Sequence, residues 1–194
     1  MAIFDMHKPV ICAIHGNCLA GGTDLAFLCD IIIAADDAKI GFPPVRDFGV
    51  GPNQMLLYHM GPQWTKRLVL TGDSISGKDA QASGLVLKSV PAELLDQEVE
   101  GLADRMSLID PDLLSANKRI VNLGLEQMGA RTLQRLAAET DARGHRAPAV
   151  ASWMASLQEL GPSKAFKKRN GPFGSGVARV FEPDDPLPKS KSRL

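Results

Sequence analysis

Gly21, Gly22 and Asp24 form the short stretch in which residue types and spacing point most directly to chemistry. Two glycines opening a helix expose backbone N–H groups at close range, and such donors suit an anion or a developing oxyanion. Asp24 follows within the first helical turn, where a carboxylate can serve as acid or base toward a group bound at that end. Each feature also has a purely structural reading. The glycines let the helix pack closely on a neighbouring strand, and the helix dipole favours a carboxylate in the first turn. Residue types alone leave both readings open.

Several other chemistries lack their motifs. Gly16 and Gly21 are not followed by Lys-Ser/Thr, and Gly49-Val50-Gly51 continues as Pro52-Asn53-Gln54 without a third glycine, so both nucleotide fingerprints fail. A Gly-x-Ser-x-Gly elbow and a Cys-His nucleophile pair are missing too. Cys12, Cys18 and Cys29 are odd in number and lack zinc-ligand spacing, so they are read as reduced, buried thiols. His7, His15, His59 and His145 show no metal-binding spacing and are given structural or surface roles. No metal site is expected.

The elements that position this stretch come next. Pro9 to His15 reads as a buried strand ended by Gly16-Asn17. A helix opened by Gly21-Gly22 follows, with Leu25, Ala26, Leu28 and Cys29 as its apolar face, and then a second strand, Ile31 to Ala35. Strand, helix and strand make an α/β unit. Lys39 to Phe42 reads as extended and is stopped by Pro43-Pro44. Asn53 to Met60 and Gln63 to Thr71 read as two helices separated by Gly61-Pro62, with Gly72 as a C-terminal cap. Lys78 to Ser83 adds a helical turn and Leu85 to Val90 a short strand. After Pro91 the pattern is helical: Ala92 to Leu108, a helix opened by Asp110-Pro111, and helices around Thr132 to Arg143 and Val150 to Leu160. Beyond Gly161, prolines and a basic excess predict that the far end is flexible.

The chain of 194 residues is 44% hydrophobic, enough for one domain or one domain with an appendage. Lys plus Arg and Asp plus Glu both total 22, so no overall field attracts nucleic acid or an anionic membrane. Met1 to His7 lacks the features of a signal peptide, and no stretch approaches the ~18 apolar residues of a membrane span. These features point to the cytoplasm.

The order of residues is more specific than their types. Lys8-Pro9-Val10-Ile11-Cys12-Ala13-Ile14-His15-Gly16, Leu19-Ala20-Gly21-Gly22-Thr23-Asp24-Leu25-Ala26 and Cys29-Asp30-Ile31 resemble the K-P-V-I-A-A-x-x-G, G-G-G-x-x-L-A and C-D-I pattern of the enoyl-CoA hydratase/isomerase (crotonase) superfamily. Lys66-Arg67-Leu68, Leu70-Thr71-Gly72-Asp73-Ser74-Ile75-Ser76, Ala80 and Gly84-Leu85-Val86 are similar to a second block of that family. Phe166-Lys167-Lys168-Arg169-Asn170-Gly171-Pro172-Phe173-Gly174 resembles its closing segment with less specificity.

The resemblance implies an α/β crotonase-like spiral of ββα turns, partial because its N-terminal turns are missing, over residues 1–91. A helical trimerisation region over 92–170 and a flexible tail over 171–194 would follow. It implies an acyl-CoA thioester as ligand, a homotrimer or dimer of trimers, and no nucleic-acid or membrane partner. Coenzyme A belongs to the substrate, and no separate cofactor is expected.

In this family two backbone N–H groups hold the thioester oxygen, and Gly21 corresponds to one of them, with Ala20 in place of the first family glycine. The other comes from an A-F-S-A-G-A-D-like segment ahead of the K-P-V strand, so the chain is expected to be a fragment, to have a misassigned start, or to have lost half of its thioester site. Asp24 matches the first of two carboxylates that add water across a 2,3-enoyl bond. Pro44 stands where a G-x-P-E segment supplies the second, and Asp47 beyond it is read as a solvated loop acid. Gly21 and Asp24 are thus the implied catalytic residues, and Ala20, Gly22, Phe42 and Pro44 the implied substrate contacts. Lys167, Lys168 and Arg169 are read as a solvated helix face. Alternatives on the same fold are double-bond isomerisation, another acyl-CoA reaction, or a non-catalytic acyl-CoA-binding or assembly subunit.

Overall fold

The structure is a computed structural model and describes residues 1–188. Strands β1 (Ile11–Ile14), β3 (Ile31–Ala35) and β6 (Lys88–Val90) form one parallel sheet in the order β1-β3-β6. Strands β2 (Asn17–Leu19), β4 (Lys39–Gly41), β5 (Ser74–Ser76) and β7 (Val177–Ala178) form the other, in the order β2-β4-β5-β7. There β2 and β4 are parallel, β5 runs antiparallel to β4, and β7 runs parallel to β5.

The chain alternates between the sheets and then enters a helix. Strands β1 and β2 lead into α2 (Gly21–Ala26), and β3 and β4 lead through a 3-10 turn, Pro43–Arg46, to α3 (Leu56–Thr71). This is a ββα spiral. It places the end of β2, the start of α2 and the end of β4 side by side, which is what builds the site.

The run Ile31–Ala35 has no polar residue because four of its five positions are buried, as expected of a parallel strand covered on both faces. Ile33, Ala34 and Ala35 from one sheet join Ile40 and Ile75 from the other in a single core, each at most 1% exposed. The first helix, α1 (Ala2–Asp5), seats Phe4 in that core and is held by the Asn122 amide, which donates to the Phe4 carbonyl at 2.8 Å.

The helical region comprises α5 (Leu95–Ser107), α6 (Pro111–Gln127), α7 (Ala130–Gly144) and α8 (Pro148–Asn170), with α4 (Gly77–Ala82) earlier in the chain. Asp110 caps α6, its Oδ1 accepting from the amides of Asp112 and Leu113, and Pro111 fills the first helical position. Lys118 of α6 reaches Asp30 at 2.8 Å, and Asp30 also accepts from the Val10 amide. The acid of the C-D-I block therefore joins the helical region to the spiral.

Several expectations need correcting. The helix expected from Asn53 starts at Leu56, and Gly61, with φ 72°, breaks α3 at the expected Gly61-Pro62 step. The helix expected to end at Leu160 instead bends at Gly161, with φ 74°, and continues to Asn170. Within the segment expected to be flexible, Val177–Ala178 pair with β5. Burial in a sheet offsets the entropy of a proline-rich segment. The rest of that expected tail, residues 189–194, lies outside the described residues.

Candidate active site

Helix α2 begins directly after β2, and Ala20 makes the turn with φ 52° and ψ −119°. This is a left-handed conformation that disfavours a Cβ, at a cost on the order of 1–3 kcal/mol. Hydrogen bonds impose it. The Ala20 amide donates to the Gly41 carbonyl at 3.1 Å, and the Ala20 carbonyl accepts from the Thr23 hydroxyl at 2.6 Å and the Thr23 amide at 2.9 Å.

With Ala20 held in this way, the amides of Gly21 and Gly22 have no acceptor among the described residues. A Cβ placed on Gly21 would meet nothing within 4 Å, so its surroundings are open. The helix start thus presents free donors to a space where an anionic oxygen can sit.

Asp24 is half-buried one turn along the same face, and its backbone carbonyl accepts from the Asn53 side-chain amide at 2.9 Å. Burial pushes the Asp24 carboxyl above its ordinary value, and the negative charge of Asp141 adds to this against a hydrogen bond from the Asn53 backbone. A carboxyl shifted in that direction is suited to holding a proton and delivering it.

Ala20 and Pro44 line a cavity of about 740 Å³ together with Trp153, Leu157 and Phe166 of α8. Phe42 instead borders a small void of about 20 Å³ with Thr23 and Asn53, on another side of α2. Of the implied substrate contacts, the structure places Ala20 and Pro44 at the large cavity. Gly22 lies beside the Gly21 donor, and Phe42 lies apart.

Asp47 is not a solvated loop acid. Its side chain is 16% exposed and lies 3.4 Å from Arg169 Nη1, and burial pushes its carboxyl up despite that partner. Arg169 correspondingly leaves the solvated face predicted for it and lies against the rings of Trp153 and Phe166 at 4.8 and 4.9 Å. Lys167 remains exposed, and Lys168 reaches Ser156. Burial pushes the Cys12 thiol up to about 12 and the Cys18 thiol up to about 11, so neither supplies a thiolate near neutral pH. His59 bonds the Phe27 carbonyl at 3.1 Å, and burial lowers its pKa, in keeping with a structural role.

The family model for enoyl-CoA hydratase/isomerase matches residues 1–147. The chain belongs to the enoyl-CoA hydratase/isomerase family. It is 36% identical over 122 residues to the mitochondrial enoyl-CoA hydratase of Pongo abelii, covering 61% of this chain and 42% of that protein. It is 34% identical over 123 residues to the 2,3-dehydroadipyl-CoA hydratase of Escherichia coli, covering 62% and 48% respectively. The crystal structure of an enoyl-CoA hydratase from Mycobacterium smegmatis superposes with a TM-score of 0.86 at 35% identity, over 89% of this chain and 59% of the other. The chain spans about half the length of the curated relatives it matches. The ββα spiral followed by helices is therefore the crotonase fold of this hydratase/isomerase family. No helix among the described residues is long and apolar enough to cross a membrane.

The residues alone point to the start of α2 but not to the side chains that the fold brings near it. Trp153, Phe166 and Arg169 reach the cavity from α8, and Asp141 acts on Asp24 from α7. An aromatic or a carboxylate inside an amphipathic helix carries no local mark of the distant residue it meets. The i,i+4 pair Asp141 and His145 was the one available signal.

Proposed function

We propose that this chain acts on an acyl-CoA thioester and adds water across its 2,3-enoyl double bond. The observation that carries this reading is the free Gly21 amide beside the cavity bordered by Ala20 and Pro44, with Asp24 one turn further along α2. When the thioester oxygen lies at the Gly21 N–H, the negative charge that builds on it during addition meets a fixed donor. Asp24, with its carboxyl shifted upward by burial, supplies the proton that the α-carbon requires. Coenzyme A enters as part of the substrate and no further cofactor takes part.

In this reading the protein is cytoplasmic and assembles as a homotrimer or a dimer of trimers. Leu113, Ile120 and Val121 on α6, each more than half exposed, support burial of that helix between copies. Nucleic acid and membrane are not partners.

A test follows loss of the enoyl thioester absorbance with short- and medium-chain substrates, alongside calorimetry with an unreactive acyl-CoA analogue. The parent chain is expected to turn over, and Asp24→Asn to bind the analogue normally while losing about 100-fold or more in rate. No turnover by the parent, or full activity in Asp24→Asn, rejects hydration through Asp24.

Pro44 favours a second reading. Proline carries no proton at the position of the usual second carboxylate, and a single acid can take and return one proton in double-bond migration. Product analysis separates the two, because migration yields an isomeric enoyl thioester and hydration a 3-hydroxyacyl thioester.

A further inference from the structure

The cavity bordered by Ala20 and Pro44 is lined by three cations, Lys39, Arg46 and Arg169, and among the described residues by no acid. The two arginines meet on one acceptor. Arg46 Nη1 and Arg169 Nε both donate to Asn170 Oδ1, at 2.9 and 3.1 Å. Two guanidinium charges sharing an amide oxygen repel unless each has an acid of its own. Each has one, and neither acid borders the cavity. Asp73 pairs with Arg46 at 2.8 Å. Asp47 pairs with Arg169 at 3.4 Å and borders a neighbouring hollow of about 270 Å³, which shares Trp153 and Arg169 with the large cavity. All four side chains are at most 16% exposed.

The remaining wall is largely apolar and includes Phe48, Trp153, Met154, Leu157 and Phe166. Arg169 also lies against the rings of Trp153 and Phe166, so its charge is matched by Asp47 and its faces are covered. Lys39 is exposed, and water screens its charge. An anionic group drawn into this cavity would lose its hydration and meet no unmatched buried cation. An apolar group of the same size would replace water without that cost.

We propose that this cavity takes the acyl chain of the thioester, that it admits an uncharged chain and rejects one ending in a carboxylate, and that Asp47 sets this preference by neutralising Arg169. The inference rests on the acyl-CoA reading and deepens it by naming a substrate class. Ala20 borders the cavity and Gly21 is the next residue, so a thioester whose oxygen meets the Gly21 N–H has this space beside it. Asp47 acts through Arg169 and is a positioning residue. Without it, two guanidinium groups meet on Asn170 with only Asp73 to balance them, and Asp73 is already shared with Arg67. The wall then holds an unmatched cation in a dry setting, where a carboxylate gains a charge-assisted hydrogen bond.

The test is calorimetry on the whole chain with two unreactive thioethers, S-octyl-CoA and its ω-carboxylated counterpart. The parent is expected to bind the octyl compound about tenfold or more tightly than the carboxylated one. In Asp47→Asn that ratio is expected to fall about tenfold or more, and in Asp47→Glu, which keeps the charge, to stay parental. Asp47→Asn combined with Arg169→Gln removes both charges and is expected to restore the exclusion, which a loss of packing alone would not do. A parental ratio in Asp47→Asn, or equal binding of the two thioethers by the parent, overturns the proposal and leaves the acyl-CoA reading intact. Tighter binding of the carboxylated compound that disappears in Lys39→Gln assigns the carboxylate to Lys39 and also overturns it. A parent that binds neither thioether removes the acyl-CoA reading and this preference with it. Should Asp47→Asn fail to fold, Leu157→Lys decides, because it adds an unmatched cation to the same wall. Its ratio is expected to fall in the same way, and a parental ratio there overturns the proposal.

Discussion

Arg46 Nη2 lies 2.8 Å from Asp73 Oδ1, with the two side chains only 5% and 12% exposed. Arg46 also donates from Nε to the Thr71 carbonyl and from Nη1 to Asn170 Oδ1, and its guanidinium lies 3.8 Å from the Phe173 ring centroid. One side chain on the turn after Pro44 thereby joins the end of α3, the end of α8 and the segment leading into β7. Arg67 shares the other oxygen of Asp73 at 2.6 Å.

Replacing Asp73 by Asn leaves Arg46 buried without its charged partner. Breaking a buried pair from one side costs about 3–5 kcal/mol. Urea unfolding of Asp73→Asn is expected to show a midpoint well below the parent, and an unchanged midpoint would mean that the remaining carbonyl and aromatic contacts suffice for Arg46.

Ala20 is a residue with a side chain in a conformation that suits glycine. Ala20→Gly removes the strain and adds unfolded-state entropy, two effects of similar size and opposite sign, with the strain the larger. A gain of roughly 1 kcal/mol is expected, read in calorimetry as a Tm higher by about 2–4 °C. A lower Tm would show that the surrounding hydrogen bonds relieve the strain.

Asp24 gives a pH-dependent prediction. Its folded pKa lies above the unfolded value of 3.8, so the folded chain keeps a proton that the unfolded chain releases. The stability associated with this group is present at low pH and is lost as pH rises from 3.8 through the folded value. Relative to the parent, Asp24→Asn should gain in urea midpoint as pH rises over that window and then hold a constant difference. A difference independent of pH would place Asp24 at its unfolded value.

Asp110 caps α6 through two backbone amides. Asp110→Ala should cost about 1 kcal/mol in unfolding free energy, with Asp110→Ser recovering most of it. Hydrogen exchange at the amides of Asp112 and Leu113 should accelerate in Asp110→Ala, and protection equal to the parent would assign the capping elsewhere.

Elements with a strong local signature were legible from residues alone. The apolar run of β3, the Asp110-Pro111 opening of α6 and the Gly61-Pro62 break each depend on a few adjacent side chains. Strands β2, β5 and β7 have three residues or fewer, too short for any periodicity, and they exist because neighbouring strands hydrogen-bond to them. The same dipeptide at Gly161-Pro162 was read as the end of a helix, yet packing of Trp153 against Phe166, with Arg169 beside both rings, carries α8 past its bend.

The sequence by itself determined the family, the ββα order, the glycine-opened start of α2 and the candidate acid Asp24, because motif order and helix-start chemistry act over neighbouring residues. Tertiary structure alone decided the surroundings of that acid. The Asn53 side-chain amide holds the Asp24 carbonyl, Asp47 pairs with Arg169, and α8 lines the cavity beside Ala20 and Pro44. Those outcomes depend on how helices distant in the chain pack onto the spiral, and packing selects partners by shape and burial that no local pattern of residues records.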